Sequence, residues 1–302
     1  MAVDKPKPLR SGGRIGVIAP AGCVDERILA NGLEALRNEG FAVELGQNIY
    51  GRKGYLAGDA EGRARDLIDF FGRDDIDAII CARGGFGSVQ LLPILAKENG
   101  LKPKIFAGYS DITVLLNWFV QKFEMVTFHA PMVGMEIAAG LSGRTKQQFW
   151  GTLTGEIRNW TIDLAEVIRP GVAEAMLIGG CLSLLVTTVG TPYEIETAGK
   201  LLFIEDVDEK PYRIERMLTH LKLAGKLNSL SGVVCGDFTR CQGDSSRGLR
   251  EVISDVFRDA PYPVVMGMAA GHGQENLVLP LGVKMELNAE SATLSLIESP
   301  VA

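Results

Sequence analysis

Apolar runs of three to six residues, alternating with stretches of helical spacing, predict an α/β protein built on a parallel sheet. Three observations carry that prediction. Residues 14–19, 41–45, 78–82 and 105–107 are short apolar runs closed by proline, glycine or arginine, as buried strands are. Between them apolar residues recur at three- and four-residue intervals, as in Ala64, Leu67, Ile68 and Phe71. The chain, at 302 residues, is also long for one hydrophobic core. We therefore expect an N-terminal parallel-sheet α/β domain over residues 1–136, a connecting segment over 137–172, and a smaller C-terminal mixed-strand α/β domain over 173–302.

The first strand leads through Pro20, Ala21 and Gly22 to a helix over 25–38. That helix sets Ile28, Leu29, Leu33 and Leu36 on one side and stops at Gly40. The strand at 41–45 is followed by a helix over 63–71 and the strand at 78–82. Another helix carries Val89, Leu91, Leu92 and Leu95, and Pro93 must sit in its first turn or kink it. The strand at 105–107, a helix over 112–123 and a strand near 125–128 complete the domain. Glycines punctuate the connecting segment, leaving room for a helix at 145–153 and a short strand or two. The second domain is expected to hold strands at 175–178, 201–204, 232–235, 263–266, 277–281, 284–287 and 293–296. Its helices are expected at 182–189 and 212–223, the latter opened by Pro211.

Composition excludes several functions. Apolar residues make up 46% and charged residues 23%, ordinary for a globular protein. The formal charge is -6 and no basic block stands out, which argues against nucleic acid or an anionic membrane as main partner. No apolar run has the length of a membrane span, and the first eight residues lack the apolar core of a signal peptide. Cys23, Cys81, Cys181, Cys235 and Cys241 are scattered, with no Cys-x-x-Cys pair. That predicts a reducing, cytoplasmic location and no structural zinc.

The chemistry centres on Ser110. The run 105–107 ends at Gly108, and helical spacing begins at Ile112. Ser110 therefore stands on a sharp strand-to-helix turn, the geometry of a nucleophile elbow. The match to Gly-x-Ser-x-Gly is incomplete, because Ile112 replaces the second glycine. The plain alternative is an ordinary turn with Ser110 or Asp111 as helix cap. Three histidines can supply a base. His220 falls on a helix rich in Arg and Lys, where a surface or packing role is expected. His129 ends a strand and either lines a site or bonds its own turn. His272 lies in a small-residue loop between Gly271 and Gly273, which leaves its ring unhindered and suits a proton carrier. For the acid, Glu205 and Asp206 leave the buried run 201–204 together, and Glu205 is preferred with Asp206 in reserve. The loop Arg83-Gly84-Gly85-Phe86-Gly87 presents bare backbone N–H groups at a strand exit. It suits half an oxyanion hole, paired with the N–H of Asp111, better than a phosphate cradle. A tight packing turn is the alternative. Arg83 adjoins the glycine loop, and a structural ion pair is one account of it.

Taken together, Arg83 to Gly87, Gly108 to Thr113, His129-Ala130-Pro131, Phe203 to Val207 with Pro211 to Ile214, and Gly271-His272 resemble the LD-carboxypeptidases. These are the serine peptidases of the muramoyl-tetrapeptide carboxypeptidase and microcin C immunity group. The resemblance spans nearly the whole chain, with Ala130 where many members carry glycine. It implies a triad of Ser110, Glu205 and His272, with an oxyanion hole from the amides near Gly85 and Asp111. A carboxypeptidase also needs a cation for the terminal carboxylate of its substrate, and the planar fork of Arg83 suits that role as well as a structural one. It further implies a cytoplasmic homodimer that needs no metal or cofactor. Its murein tetrapeptide substrate would lose the terminal D-alanine, a step of cell-wall recycling. Two other readings stand beside it. One is an immunity-type peptidase acting on aminoacyl or peptidyl sulfamoyl adenylates, with Trp150 or Trp160 as a platform for adenine or simply in the core. The other is a non-catalytic module that binds a small anionic ligand at the glycine loop, Arg83 and Gly84 included.

Overall fold

The computed structural model describes residues 3–242 and 247–302. Its elements begin with β1 (Arg14–Ile18), α1 (Glu26–Asn38), β2 (Ala42–Leu45), α2 (Ala60–Gly72), β3 (Ala78–Cys81), α3 (Leu92–Leu95), β4 (Ile105–Gly108), α4 (Thr113–Phe123), β5 (Thr127–His129) and α5 (Gly143–Thr154). They continue with β6 (Asn159–Thr161), β7 (Glu166–Arg169), β8 (Val172–Cys181), α6 (Leu182–Thr188), β9 (Lys200–Val207), α7 (Pro211–Leu223), β10 (Gly232–Thr239) and α8 (Leu249–Val256). The last are β11 (Val264–Met266), β12 (Leu279–Leu281), β13 (Lys284–Asn288) and β14 (Thr293–Leu296).

One sheet has the strand order β12-β5-β4-β3-β1-β2, and β5, β4, β3, β1 and β2 run parallel. The other has the order β6-β14-β13-β8-β9-β10-β11-β7. Its centre, β8 to β11, is parallel, and its flanks pair antiparallel. The protein is therefore α/β, with one largely parallel and one mixed sheet. The chain forms two compact units. One comprises Met1–Ile157, Val278–Pro280 and Pro300–Ala302, the other Arg158–Leu277 and Leu281–Ser299.

In the first unit, every residue of β3 and β4 is buried, as expected of central parallel strands covered on both faces. Helix α1 starts where the Asp25 side chain accepts from the N–H groups of Arg27 (2.9 Å) and Ile28 (3.1 Å). It buries Leu29, Gly32, Leu33 and Leu36. Phe106 of β4 packs with Phe71 and Phe119, ring centroids 5.8 and 5.2 Å away. Each such ring contributes roughly 2–3 kcal/mol through burial. The strand carrying Ser110 is thus clamped by aromatic packing. In the second unit, α7 begins at Pro211 and buries Ile214, Leu218 and Leu221, which leaves His220 exposed.

Four details depart from the expectations. Residues 88–91 form a 3-10 turn, and α3 is a single short turn with Pro93 in it. Strand β8 runs ten residues, through Gly179 and Gly180. A Cβ on Gly179 would lie 1.9 Å from the Phe203 carbonyl oxygen of neighbouring β9, so the glycine marks contact between strands and not a strand end. Leu279–Leu281 joins the first sheet beside β5 and not the second. Helix α8 was not expected, although Leu249, Val252, Ile253 and Val256 have helical spacing. Among the described residues, no helix is long and apolar enough to cross a membrane.

Candidate active site

Strand β4 ends at Gly108, and Tyr109 continues extended. Ser110 then turns to φ 61°, in the left-handed region, and a 3-10 turn over Ser110–Ile112 feeds α4. That conformation costs an L-residue on the order of 1–2 kcal/mol, and serine has no glycine-like freedom to relieve it. The turn lifts the hydroxyl off the end of a packed strand.

Gly84 lies against this turn. A Cβ there would come 2.8 Å from Ser110 Cβ, 2.9 Å from Ser110 Oγ and 3.2 Å from the Asp111 nitrogen. Only glycine lets the loop approach so closely. The Gly84 carbonyl accepts from Gly22 N–H at 3.0 Å. In a trans peptide the C=O and the following N–H point in opposite directions, so Gly85 N–H is aimed away from Gly22. Gly85 has φ 109°, which again requires glycine. Arg83 is half-buried; its Nη1 donates to Cys23 O at 3.1 Å, while Nε is buried without a hydrogen-bond partner.

His129 is fully buried at the end of β5, its ring edge-on to Tyr109 with centroids 5.5 Å apart. That is a packing position. The Tyr109 hydroxyl donates to Glu136 Oε1, and Glu136 Oε2 accepts from Met132 N–H at 3.1 Å. Sequence reasoning missed Glu136, because a lone carboxylate in a glycine-rich stretch gives no pattern. Trp160 is buried and takes the core role, whereas Trp150 is half-buried and stacks on Phe41 at 4.8 Å between centroids.

In the second unit, β9 carries Glu205 and Asp206 on opposite faces, as strand alternation requires. Asp206 is consumed locally. It accepts from Ser183 N–H at 2.8 Å and Val207 N–H at 2.9 Å. Glu205 is fully buried, and its Oε2 lies 2.7 Å from His272 Nδ1. Burial pushes the Glu205 carboxyl up, and the bond to His272 pulls it back down. With Nδ1 donating to the carboxylate, Nε2 holds the lone pair, as a general base needs. The imidazole side chain is 15% exposed while the carboxylate is sealed.

The glycines beside His272 do something other than free it. A Cβ on Gly271 would meet Glu205 Oε2 at 2.6 Å, and one on Gly273 would meet Asp237 Oδ2 at 2.0 Å. The loop is also pinned: Gly271 N–H donates to the side chain of buried Asn276 at 3.0 Å, and Asp237 N–H to Ala270 O at 2.9 Å. Close approach, and not mobility, is the reason for these glycines.

Asp237, half-buried at this loop, is pushed up from 3.8 to about 6 by burial and then by Glu275. Its folded value exceeds its unfolded one, so its contribution to stability is full below pH 4 and lost as pH rises through 6. Asp237→Asn should therefore become more stable than wild type by about 1–2 kcal/mol at pH 7.5, discounted for partial exposure, with little difference at pH 4.5. Urea unfolding at both values reads this; an equal offset at the two would refute it.

Two family models match the chain: the LD-carboxypeptidase N-terminal domain over residues 15–130 and the LD-carboxypeptidase C-terminal domain over residues 174–287. The chain belongs to the LD-carboxypeptidase family. As a member it is a carboxypeptidase of the serine-peptidase class. Ser110 falls in the first match, and Glu205 and His272 in the second. The Bacillus subtilis protein named "Probable murein peptide carboxypeptidase" is 39% identical, over 99% of this chain and 95% of its own. The murein tetrapeptide carboxypeptidase of Pseudomonas aeruginosa is 31% identical, over 89% and 91%. Among solved structures, MccF in complex with glutamyl sulfamoyl guanosine superposes with a TM-score of 0.87 at 25% identity, over 99% of each chain. The muramoyltetrapeptide carboxypeptidase from Oxalobacter formigenes gives 0.83 at 28% identity, over 95% of this chain and all of the other. These LD-carboxypeptidase relatives match along nearly the whole chain.

Proposed function

We propose that this protein releases the terminal D-alanine from murein tetrapeptide, with Ser110 as nucleophile, His272 as base and Glu205 as its orienting acid. The observation that carries the reading is the Ser110 turn: a serine held at positive φ at the end of a buried strand, with a glycine loop against it. The murein relatives supply the substrate class. Ser110 Oγ attacks the amide carbonyl carbon as His272 Nε2 takes its proton. The developing oxyanion is held by the N–H groups of Gly85 and Asp111. His272 returns the proton to the amine of D-alanine as the C–N bond breaks. Water, losing its proton to the same nitrogen, then hydrolyses the acyl-enzyme. Glu205 steadies the imidazolium at each stage. No step calls for a metal or cofactor. Arg83, which adjoins the glycine loop and is half-buried, binds the terminal carboxylate of the substrate with its planar guanidinium. The same proposal includes a role in cell-wall recycling, a cytoplasmic location and a homodimeric state.

A second reading, an immunity-type peptidase for sulfamoyl adenylates, is favoured by the likeness to MccF. The burial of Trp160 removes it as an adenine platform, and Phe41 covers one face of half-buried Trp150, which weighs against it. D-alanine release from murein tetrapeptide, measured beside cleavage of an aminoacyl sulfamoyl adenylate, separates them. We expect release from the tetrapeptide, with a raised KM for Arg83→Ala. Turnover of the adenylate alone would decide for the second reading, and an unchanged KM would remove Arg83 from the carboxylate site. Turnover of neither, with Ser110 inert to a fluorophosphonate, would leave a binding module.

A further inference from the structure

We infer that Ser88, backed by the buried guanidinium of Arg63, is a positioning residue that sets the spacing between the two oxyanion donors. This rests on the roles proposed for Gly85 and Asp111. Those two N–H groups belong to segments far apart in sequence, the glycine loop after β3 and the turn after β4. A pair of donors contributes to catalysis only if both meet the same oxygen, so something must hold one segment to the other.

The structure contains a reciprocal clamp between them. Ser88 follows directly on the glycine loop and is fully buried. Its N–H donates to Asp111 Oδ2 at 2.8 Å, and its hydroxyl donates to the Asp111 carbonyl oxygen. Asp111 is 1% exposed, and burial raises its carboxyl against the pull of Ser88 and Arg63. A buried carboxylate is retained only where its partners are fixed. Arg63 supplies the other side. It is 1% exposed, a rare state for arginine. Its Nη1 donates to Gly87 O at 2.8 Å and to Pro20 O at 2.7 Å, and Nη2 donates to Gln90 Oε1 at 2.6 Å. Gly87 has φ 126°, and a Cβ there would lie 2.6 Å from Arg63 Nη1. The guanidinium thus occupies the place of a side chain and ties the end of the glycine loop to the exit of β1. Three buried polar side chains, none of which touches substrate in the proposed mechanism, thus tie the end of the glycine loop to the residue that follows Ser110.

Removing the Ser88 hydroxyl loosens the Asp111 peptide without deleting a donor. Oxyanion contacts form in the transition state, so the loss should appear in kcat and not in KM. The test is Ser88→Ala, which removes one oxygen and keeps the N–H bond to Asp111. We expect kcat for D-alanine release to fall about 10- to 100-fold with KM within about twofold, and the rate of fluorophosphonate labelling of Ser110 to fall in parallel. Thermal unfolding confirms that the variant is folded. Asp111→Asn, which keeps an acceptor for Ser88 but removes the charge facing Arg63, should give a smaller loss of the same kind. A folded Ser88→Ala enzyme with unchanged kcat and labelling overturns the inference, as does a rise in KM with kcat intact. If wild type turns over no substrate yet is labelled, the murein reading has failed and the labelling ratio still decides the role of Ser88.

Discussion

Ser110→Ala will abolish D-alanine release, and Ser110→Gly will do the same while making the protein more stable than wild type. The first effect should be on the order of 10⁴- to 10⁶-fold in kcat, since without the hydroxyl no acyl-enzyme forms and only binding and the oxyanion donors remain. The second follows from the backbone. Ser110 is held at φ 61°, a conformation that glycine adopts without penalty. Glycine should therefore gain about 1 kcal/mol, while alanine, with a Cβ of its own, should stay near the wild-type value. Urea midpoints of the three proteins, read beside their turnover, test both halves. Release by the alanine variant would mean a misassigned nucleophile. A glycine variant less stable than wild type would mean that the turn is not strained.

Glu205→Gln is expected to cost roughly 10³- to 10⁴-fold in kcat with little change in KM. The carboxylate is fully buried and lies 2.7 Å from His272 Nδ1. An amide of the same shape can still offer an oxygen to that N–H, but it carries no charge to steady the imidazolium formed when Ser110 loses its proton. It can also turn its NH₂ towards Nδ1 and impose the wrong tautomer. Because the effect passes through His272, Glu205→Gln added to Ser110→Ala should lower turnover no further. A single variant within tenfold of wild type would return Glu205 to a structural role and reopen the choice of acid.

The alternation of strands and helices was legible because each buried run is short, apolar and closed by a residue that breaks it. The runs ending in Ile18, Cys81 and Gly108 all became neighbours in one parallel sheet. The lengths of β8 and β12's sheet were not legible. Gly179 looks like a breaker, and only the carbonyl of Phe203 explains why a glycine must lie inside that strand. A three-residue strand such as β12 has no signal to say which sheet it joins. In the candidate site, Gly84, Gly85, Ser110, Glu205 and His272 stood out because each follows a buried run or lies among glycines. Arg63 did not, since an arginine on a helix is ordinarily a solvated one and its burial depends on carbonyls from two other segments, at Pro20 and Gly87, beside the cap of its own helix. Asp237 was hidden for a similar reason, since its neighbours come from the His272 loop far along the chain, while Asn276 lies in that loop and gave no sign that its buried side chain accepts from Gly271 N–H.

Strand β12 also bears on how the protein is made. Residues 279–281 cover the edge of β5, which is otherwise the outermost strand on the side of β4. On the ribosome that edge stays open until residue 281 has emerged, roughly ten to thirty seconds after β5 at ordinary elongation rates. For that interval the nascent chain displays unpaired backbone one strand away from β4, which leads to Ser110, a template for pairing with another chain. The first sheet is thus closed not by the chain that follows β5 directly but by a piece that the ribosome delivers long after it.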